Sequence, residues 1–428
     1  MNSHQYSVGR AGGVLVAHRR FLTAGVFLAL LASLGSWRPT AQTQTGDGPQ
    51  YRFDPSWPKP LPPVAGADRL MRPQISGGVG THCIDSRDHI FQFNRRYVEV
   101  GLAGLRPDDP RRDPRPGTVP ALPVAEFDPA GNLVNAWGDP TLTPQGMSAV
   151  LPHNTHGCFV DYEGHVWVGG NADGVVQKWS RDGKNMLLQI GTKGVCDGPP
   201  TLAPESPFPT CGPPGTNSSR TLLNQPTKVA VDPNPDPVTG ERGSVYVSDG
   251  YGNHRVVVFD RRGQYLRQWG SAGTAPGQFY PTGGGHPHCV VLGNDSLLYV
   301  CDRSGNRVQV FDRTGNLKRA MYVIPPSTSV TGGTKSERAV SDVAFSPDRE
   351  QRYMYVLYYG CGCDSPEGGR VYILSRETGA IVGSFGEPGP GPGQFLSAHS
   401  ITVDSKGNVY VGESPMGQRT QRFLKIAG

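Results

Sequence analysis

Helical periodicity is scarce in this chain. Few stretches of its 428 residues repeat apolar side chains at the spacing of a helix face, which sets helical bundles aside. The apolar run from Phe21 to Leu34 is too short for a comfortable membrane span. Basic runs and aromatic-basic faces are missing too, and the formal net charge of +5 is modest and sits partly near the N-terminus, so nucleic acid is not an expected partner. Cys361-Gly-Cys363 is too close for a relaxed bridge between its own thiols, and its spacing alone does not make a metal site.

What the chain does have is turn residues, with Gly 58 and Pro 40, as a protein built from short strands requires. Its first residues read as an export signal. His18, Arg19 and Arg20 precede the apolar run, and small residues and Thr40-Ala41-Gln42 follow it, so residues 1–41 are expected to be a signal peptide, cut near Ala41. Arg19-Arg20 hints at twin-arginine export, with imperfect spacing. Residues 42–50 read as a polar linker. The mature protein is expected to be periplasmic or secreted, with no membrane attachment after cleavage. In such a compartment eight cysteines allow disulfides, and Cys196 with Cys211 is the best local pair.

From Gln225 to Gly315 the chain repeats itself. QPTKVAVD and GSVYVSDGYGNHRVVVFDRRGQYLRQWG are followed by HPHCVVLG and SLLYVCDRSGNRVQVFDRTGNLKR. Each copy holds three runs rich in Val, Tyr, Phe and Leu with a weaker fourth, divided by Asp, Gly and Asn, which is the pattern of a four-stranded antiparallel sheet. Such a unit cannot bury both faces alone, so repeats stack radially into a propeller. The Asn-x-Arg-Val-x-Val-Phe-Asp core resembles the NHL repeat. Six units follow in order, giving an all-β, six-bladed β-propeller over residues 51–428 with insertions near 97–122 and 192–222. The stretch from Tyr51 to Trp57 is expected to complete the final blade and close the ring.

Aligning the first strand of every blade by the turn residue that ends it puts Gly80, His156, Thr227, His288, Ser341 and His399 in one slot. Histidine occupies alternate blades. The first strands of a propeller line its channel, so His156, His288 and His399 should converge on the axis and hold a metal, Zn²⁺, with a position left open for chemistry. A lone histidine in a β-protein is usually a structural residue; it is the symmetry of three that argues otherwise. Residues just after the second strands share the same rim, among them Arg95, Tyr251 and Arg303, with Asp249, Asp302 and Glu413 close by.

THGCFVDYEGHVWV, VYVSDGYGNHRVVVF, GQFYPTGGGHPHCVV, CDRSGNRVQVF and AHSITVDSKGNVYVGES together resemble the peptidyl-α-hydroxyglycine α-amidating lyases. The resemblance implies zinc on His156, His288 and His399, with Tyr251, Arg95 and Arg303 as catalytic residues. It also implies a structural calcium on the axis, served by an Asp after the last metal histidine. Ser400 stands there instead and puts Ca²⁺ in doubt, although backbone carbonyls remain as donors. The cysteine pairs of that family fall on Asn224, Gly252, Tyr299 and Val310, so they are absent. The copper monooxygenase domain of animal relatives has no room in this chain, so the substrate need not be a peptide.

The expected function is therefore a zinc-dependent carbon–nitrogen lyase that splits an N-acyl α-hydroxyglycine-like carbinolamine, small or peptidic, into an amide and glyoxylate. Zinc would lower the pKa of the hydroxyl, Tyr251 would take or relay its proton, and the two arginines would hold the carboxylate. Two alternatives stand beside it. One is a non-catalytic propeller gripping a protein or glycan; the other is a lactonase-type metal hydrolase, a class that usually centres its metal on carboxylates and Asn.

Overall fold

Aspartates tie off the hairpins from which every blade is made. Asp161 Oδ1 accepts the backbone N–H groups of Glu163 at 3.0 Å and His165 at 2.9 Å, which closes the turn between the first two strands of blade two. Asp85 and Asp404 do the same in blades one and six. Asp260 and Asp312 repeat the device between third and fourth strands. A short acceptor side chain that bonds its own backbone two and four residues on favours a turn over a continued strand.

The computed structural model describes residues 46–427 apart from 47, 66–67, 96–117, 139–150, 153, 200–209, 283–284, 324–338, 360–368 and 415–416. All of these lie in the unit Ala41–Gly428; the unit Met1–Thr40, which holds most of the expected signal peptide, falls outside the described residues. The fold is an all-β, six-bladed propeller of four-stranded antiparallel sheets. The innermost strands are Gly78–Ile84, Thr155–Val160, Pro226–Val231, Cys289–Leu292, Ala339–Phe345 and Ala398–Val403. Each packs against the next, and the last against the first. Gln50–Asp54 pairs antiparallel with Arg419–Ala427 and becomes the outer strand of blade six.

Strand alternation sends apolar side chains to both faces of each sheet, so the core is divided among the interfaces. Six buried apolar clusters are found among the described residues, one between each neighbouring pair of blades. Phe91, Phe93, Val166 and Val168, for example, meet between blades one and two. Each such side chain contributes about 1.5–3 kcal/mol when fully buried. The ring is thereby held rigid around its axis.

Three disulfides join described cysteines. Cys196–Cys211 staples the loop at 192–222, Cys83–Cys158 joins the first strands of blades one and two, and Cys289–Cys301 crosses the first hairpin of blade four. They suit an oxidising compartment. Cys361 and Cys363 lie outside the described residues, as does most of the insertion at 97–122; of the latter, Val119–Pro120 runs parallel to Gln74–Ile75. No helix among the described residues is long and apolar enough to cross a membrane.

Candidate metal centre

Three imidazoles meet where the innermost strands of blades two, four and six face each other. The ring centroids of His156, His288 and His399 are 4.6 to 5.2 Å apart, and one ring nitrogen from each lies within 4.8 Å of the others. All three are buried. The blades without histidine supply the orienting groups. Nδ1–H of His156 donates to the Thr227 carbonyl at 2.8 Å, and Nδ1–H of His288 donates to the Ser341 carbonyl at 2.5 Å. His399 is turned toward the backbone of Gly80, without a well-formed bond at Nδ1. These acceptors are the residues that share the histidines' slot in blades one, three and five. A donated Nδ1 proton leaves the lone pair on Nε2, which is the form a metal needs.

Burial holds all three imidazoles well below the usual range, and the neighbouring imidazoles, Arg95 and Arg303 push them further down. They are neutral at pH 7 and ready to ligate. Nε2 of His156 is buried with no hydrogen-bond partner among the described residues. An orphaned lone pair aimed at two others, in a nitrogen-only donor set, fits a borderline-soft divalent ion such as Zn²⁺. The other described group of three possible ligands, Asp161, Glu163 and His165, is partly exposed and already holds the ammonium of Lys178 within ion-pair distance of both carboxylates, with His165 Nδ1 3.4 and 3.3 Å from the same two acids.

Tyr251 and Arg303 complete one side of the rim. Arg303 Nη1 donates to the Tyr251 phenol oxygen at 2.8 Å, and that hydroxyl lies 3.1 Å from His288 Nε2. Arg95 approaches from blade one, its Nε donating to the Thr155 carbonyl at 2.9 Å and Nη1 to Ser414 Oγ at 3.2 Å. It can do so only because position 80 is glycine: a Cβ there would stand 2.7 Å from Arg95 Nε and 2.3 Å from the Thr155 carbonyl oxygen.

The acids that the sequence places nearby serve the fold. Asp249, Asp302 and Glu413 each pair with the arginine that opens their own third strand, Arg255 at 2.9 Å, Arg307 at 2.7 Å and Arg419 at 2.5 Å. Their charge is spent inside the blade. Ser400, at the position where the resemblance implies a calcium ligand, donates its hydroxyl to His82 Nδ1 at 2.8 Å, and His82 Nε2–H donates to the Tyr410 carbonyl at 3.2 Å. The axial carboxylate here is Asp342, and the ammonium of Lys228 is in contact with it.

Residues 285–311 match the family model described as NHL repeat. A peptidyl-alpha-hydroxyglycine alpha-amidating lyase of Drosophila melanogaster is 27% identical over 71% of this chain and 57% of its own length. The chain is an NHL-type propeller that resembles the amidating lyases. This NHL propeller also matches an amidating monooxygenase of Xenopus laevis, spanning 25% of that protein's length. The human NHL repeat-containing protein 3 is 25% identical over 96% of this chain and 92% of its own. Among solved structures, a gluconolactonase from Xanthomonas campestris aligns over 87% of this chain and 98% of its own at TM-score 0.46 and 13% identity.

Sequence reasoning did not single out Tyr359. Its ring lies 4.5 Å from the guanidinium carbon of Arg303 and 6.4 Å from the ring of His399. Gly285 is a second residue that it passed over. With φ at +82°, a Cβ there would stand 2.6 Å from His288 Cδ2 and 3.2 Å from Arg303 Cδ. Gly285→Ala should displace His288 and weaken metal binding about 10- to 100-fold, the usual cost of disturbing a ligand's support. Competition against a chromophoric chelator measures this; unchanged affinity would show that the loop yields instead.

Proposed function

We propose that this propeller is a zinc-dependent carbon–nitrogen lyase acting on N-acyl α-hydroxyglycine-like carbinolamines, small or peptidic, in the periplasm or outside the cell. The observation that carries the reading is the meeting of three neutral imidazoles beside a tyrosine–arginine pair, with a second arginine on the opposite side. Its support in sequence is the similarity to an amidating lyase. A bound divalent ion supplies Lewis acidity toward the substrate's hydroxyl oxygen.

The chain's own groups account for the rest. Arg95 and Arg303 bind the carboxylate, matching planar donors to a planar anion and offsetting the negative charge that develops at the carbinol oxygen. Tyr251, which already shares a hydrogen bond with Arg303 and faces His288 Nε2, is placed to take or relay the hydroxyl proton. The C–N bond breaks, its electron pair and that proton go to nitrogen, and R-CO-NH-CH(OH)-COO⁻ becomes R-CO-NH₂ and glyoxylate. No co-reactant is needed.

Metal analysis and glyoxylate release from α-hydroxyhippurate test the proposal. About one divalent ion per chain and steady glyoxylate release are expected. Arg95→Ala and Arg303→Ala should each lower kcat/KM by roughly 10- to 1000-fold with metal content intact. Tyr251→Phe should act mainly on kcat. A zinc-loaded protein that releases no glyoxylate from this or longer acyl analogues would favour a binding propeller instead.

A further inference from the structure

The six second strands can be aligned without reference to function. Ile84, Val160, Val231, Leu292, Phe345 and Val403 end the first strands, and they pair with Ile90, Val166, Val245, Leu298, Met354 and Val409. Five residues further on stand Arg95, Asn171, Gly250, Arg303, Tyr359 and Ser414. The two arginines at the metal centre are thus one position seen in blades one and four. Tyr359 is the same position in blade five.

Its surroundings give that equivalence a purpose. The Tyr359 ring lies 4.5 Å from the Arg303 guanidinium carbon, while Tyr251 takes a hydrogen bond from the same guanidinium at 2.8 Å. Two tyrosines therefore fix one cation. Among the described residues Arg303 meets tyrosines and no carboxylate, and its Nε is buried without a hydrogen-bond partner. This sets it apart from Arg255 and Arg307, which are neutralised inside their blades. An arginine side chain has many rotamers, and a long uncompensated one needs a surface to lie on if it is to present its donors in one direction. The negative face of an aromatic ring supplies that surface without consuming a donor.

We propose that Tyr359 is a positioning residue that holds Arg303 ready for the carboxylate of the substrate. The inference rests on the lyase reading for the identity of the substrate, but its core is that Tyr359 sets the affinity of Arg303 for a small carboxylate. Glyoxylate binding to the zinc-loaded protein therefore tests it without turnover.

Tyr359→Leu removes the π face and Tyr359→Phe keeps it. In calorimetry with glyoxylate, Tyr359→Leu should bind about 5- to 30-fold more weakly than wild type, and Tyr359→Phe within about twofold of it. With α-hydroxyhippurate the loss should appear in KM, with kcat nearly unchanged. Metal content and melting temperature should match wild type in both variants. Equal binding by wild type and Tyr359→Leu overturns the inference, as does equal loss in both variants, which would assign the effect to the hydroxyl. Loss of zinc from Tyr359→Leu also overturns it, making the ring a support for His399. If wild type binds glyoxylate through Arg303 but does not turn over α-hydroxyhippurate, the lyase reading fails while Tyr359 is still tested by binding. Should wild type bind no glyoxylate, Arg303 is not a carboxylate receptor and the inference falls with it.

Discussion

Replacing His156, His288 or His399 by alanine should strip the protein of its tightly held metal and bring glyoxylate release below detection. Zinc held by a full set of protein ligands is bound by about 10–16 kcal/mol, so losing one of three shared ligands should weaken binding by roughly 10²- to 10⁴-fold. The fold should survive. Each imidazole is a buried neutral group, the backbone carbonyls that accept from His156 and His288 Nδ1 remain in place, and at His288 the change also gives up the contact of Nε2 with the Tyr251 hydroxyl. Metal content by mass spectrometry, read beside a melting curve, separates the two effects. His82→Gln is the control, because His82 is as deeply buried yet, among the described residues, its ring bonds to Ser400 and Tyr410 and not to the triad. If all three alanine variants keep their metal, the axial site is wrong.

The repeat made this triad legible. Because the blades share one register, a turn residue fixes the depth of every innermost strand, and equal depth in alternate blades means convergence. Hydrogen bonds between blades have no such signature. Gly80, Thr227 and Ser341 occupy the slots without histidine, and nothing in their side chains announces that their backbones orient the neighbouring rings. The role of Asp249, Asp302 and Glu413 was readable in principle, since each is followed within one turn by the Arg that opens the third strand. Cys196–Cys211 could be read from its loop, whereas Cys83–Cys158 joins two blades across 75 residues and shows only when the blades are packed. Tyr359 was hidden for a different reason. The turn that joins its first two strands is longer, Phe345 pairing with Met354 where Ile84 pairs with Ile90 and Leu292 with Leu298, so its equivalence to Arg95 and Arg303 emerges from strand pairing and not from counting along the chain.

Lys228→Met should be the most destabilising change on the axis, although Lys228 touches no proposed ligand of the metal. Lys228 comes from blade three and Asp342 from blade five, and their side chains are only 14% and 6% exposed. Asp342 also accepts the backbone N–H groups of Val343 at 2.9 Å and of Ile401, in blade six, at 3.2 Å. The pair lies between two cavities that Lys228 lines on both sides. One, of about 10 Å³ and room for a single water, is walled by the three histidines. The other, of about 430 Å³, is walled by the ends of the innermost strands. Burial pushes the Asp342 carboxyl up, and the Lys228 ammonium pulls it back down. Removing the ammonium leaves a buried carboxylate with two backbone donors and no counter-charge, which costs about 3–5 kcal/mol. The sign of the pH dependence follows. Without Lys228 the folded-state pKa of Asp342 rises further above the unfolded value of about 3.9, so the folded variant holds a proton that the unfolded chain releases. The deficit relative to wild type should be small near pH 4 and should grow as the pH rises to neutrality. His82, whose ring is held down to about 3 by burial and by Lys228, gains freedom to protonate at low pH and acts in the same direction. Denaturant unfolding at several pH values measures both slopes. Lys228→Met/Asp342→Leu should recover most of the loss, because apolar groups of similar volume replace a buried pair at little cost. A single variant as stable as wild type at neutral pH would show that water reaches the axis and solvates Asp342 in place of the ammonium.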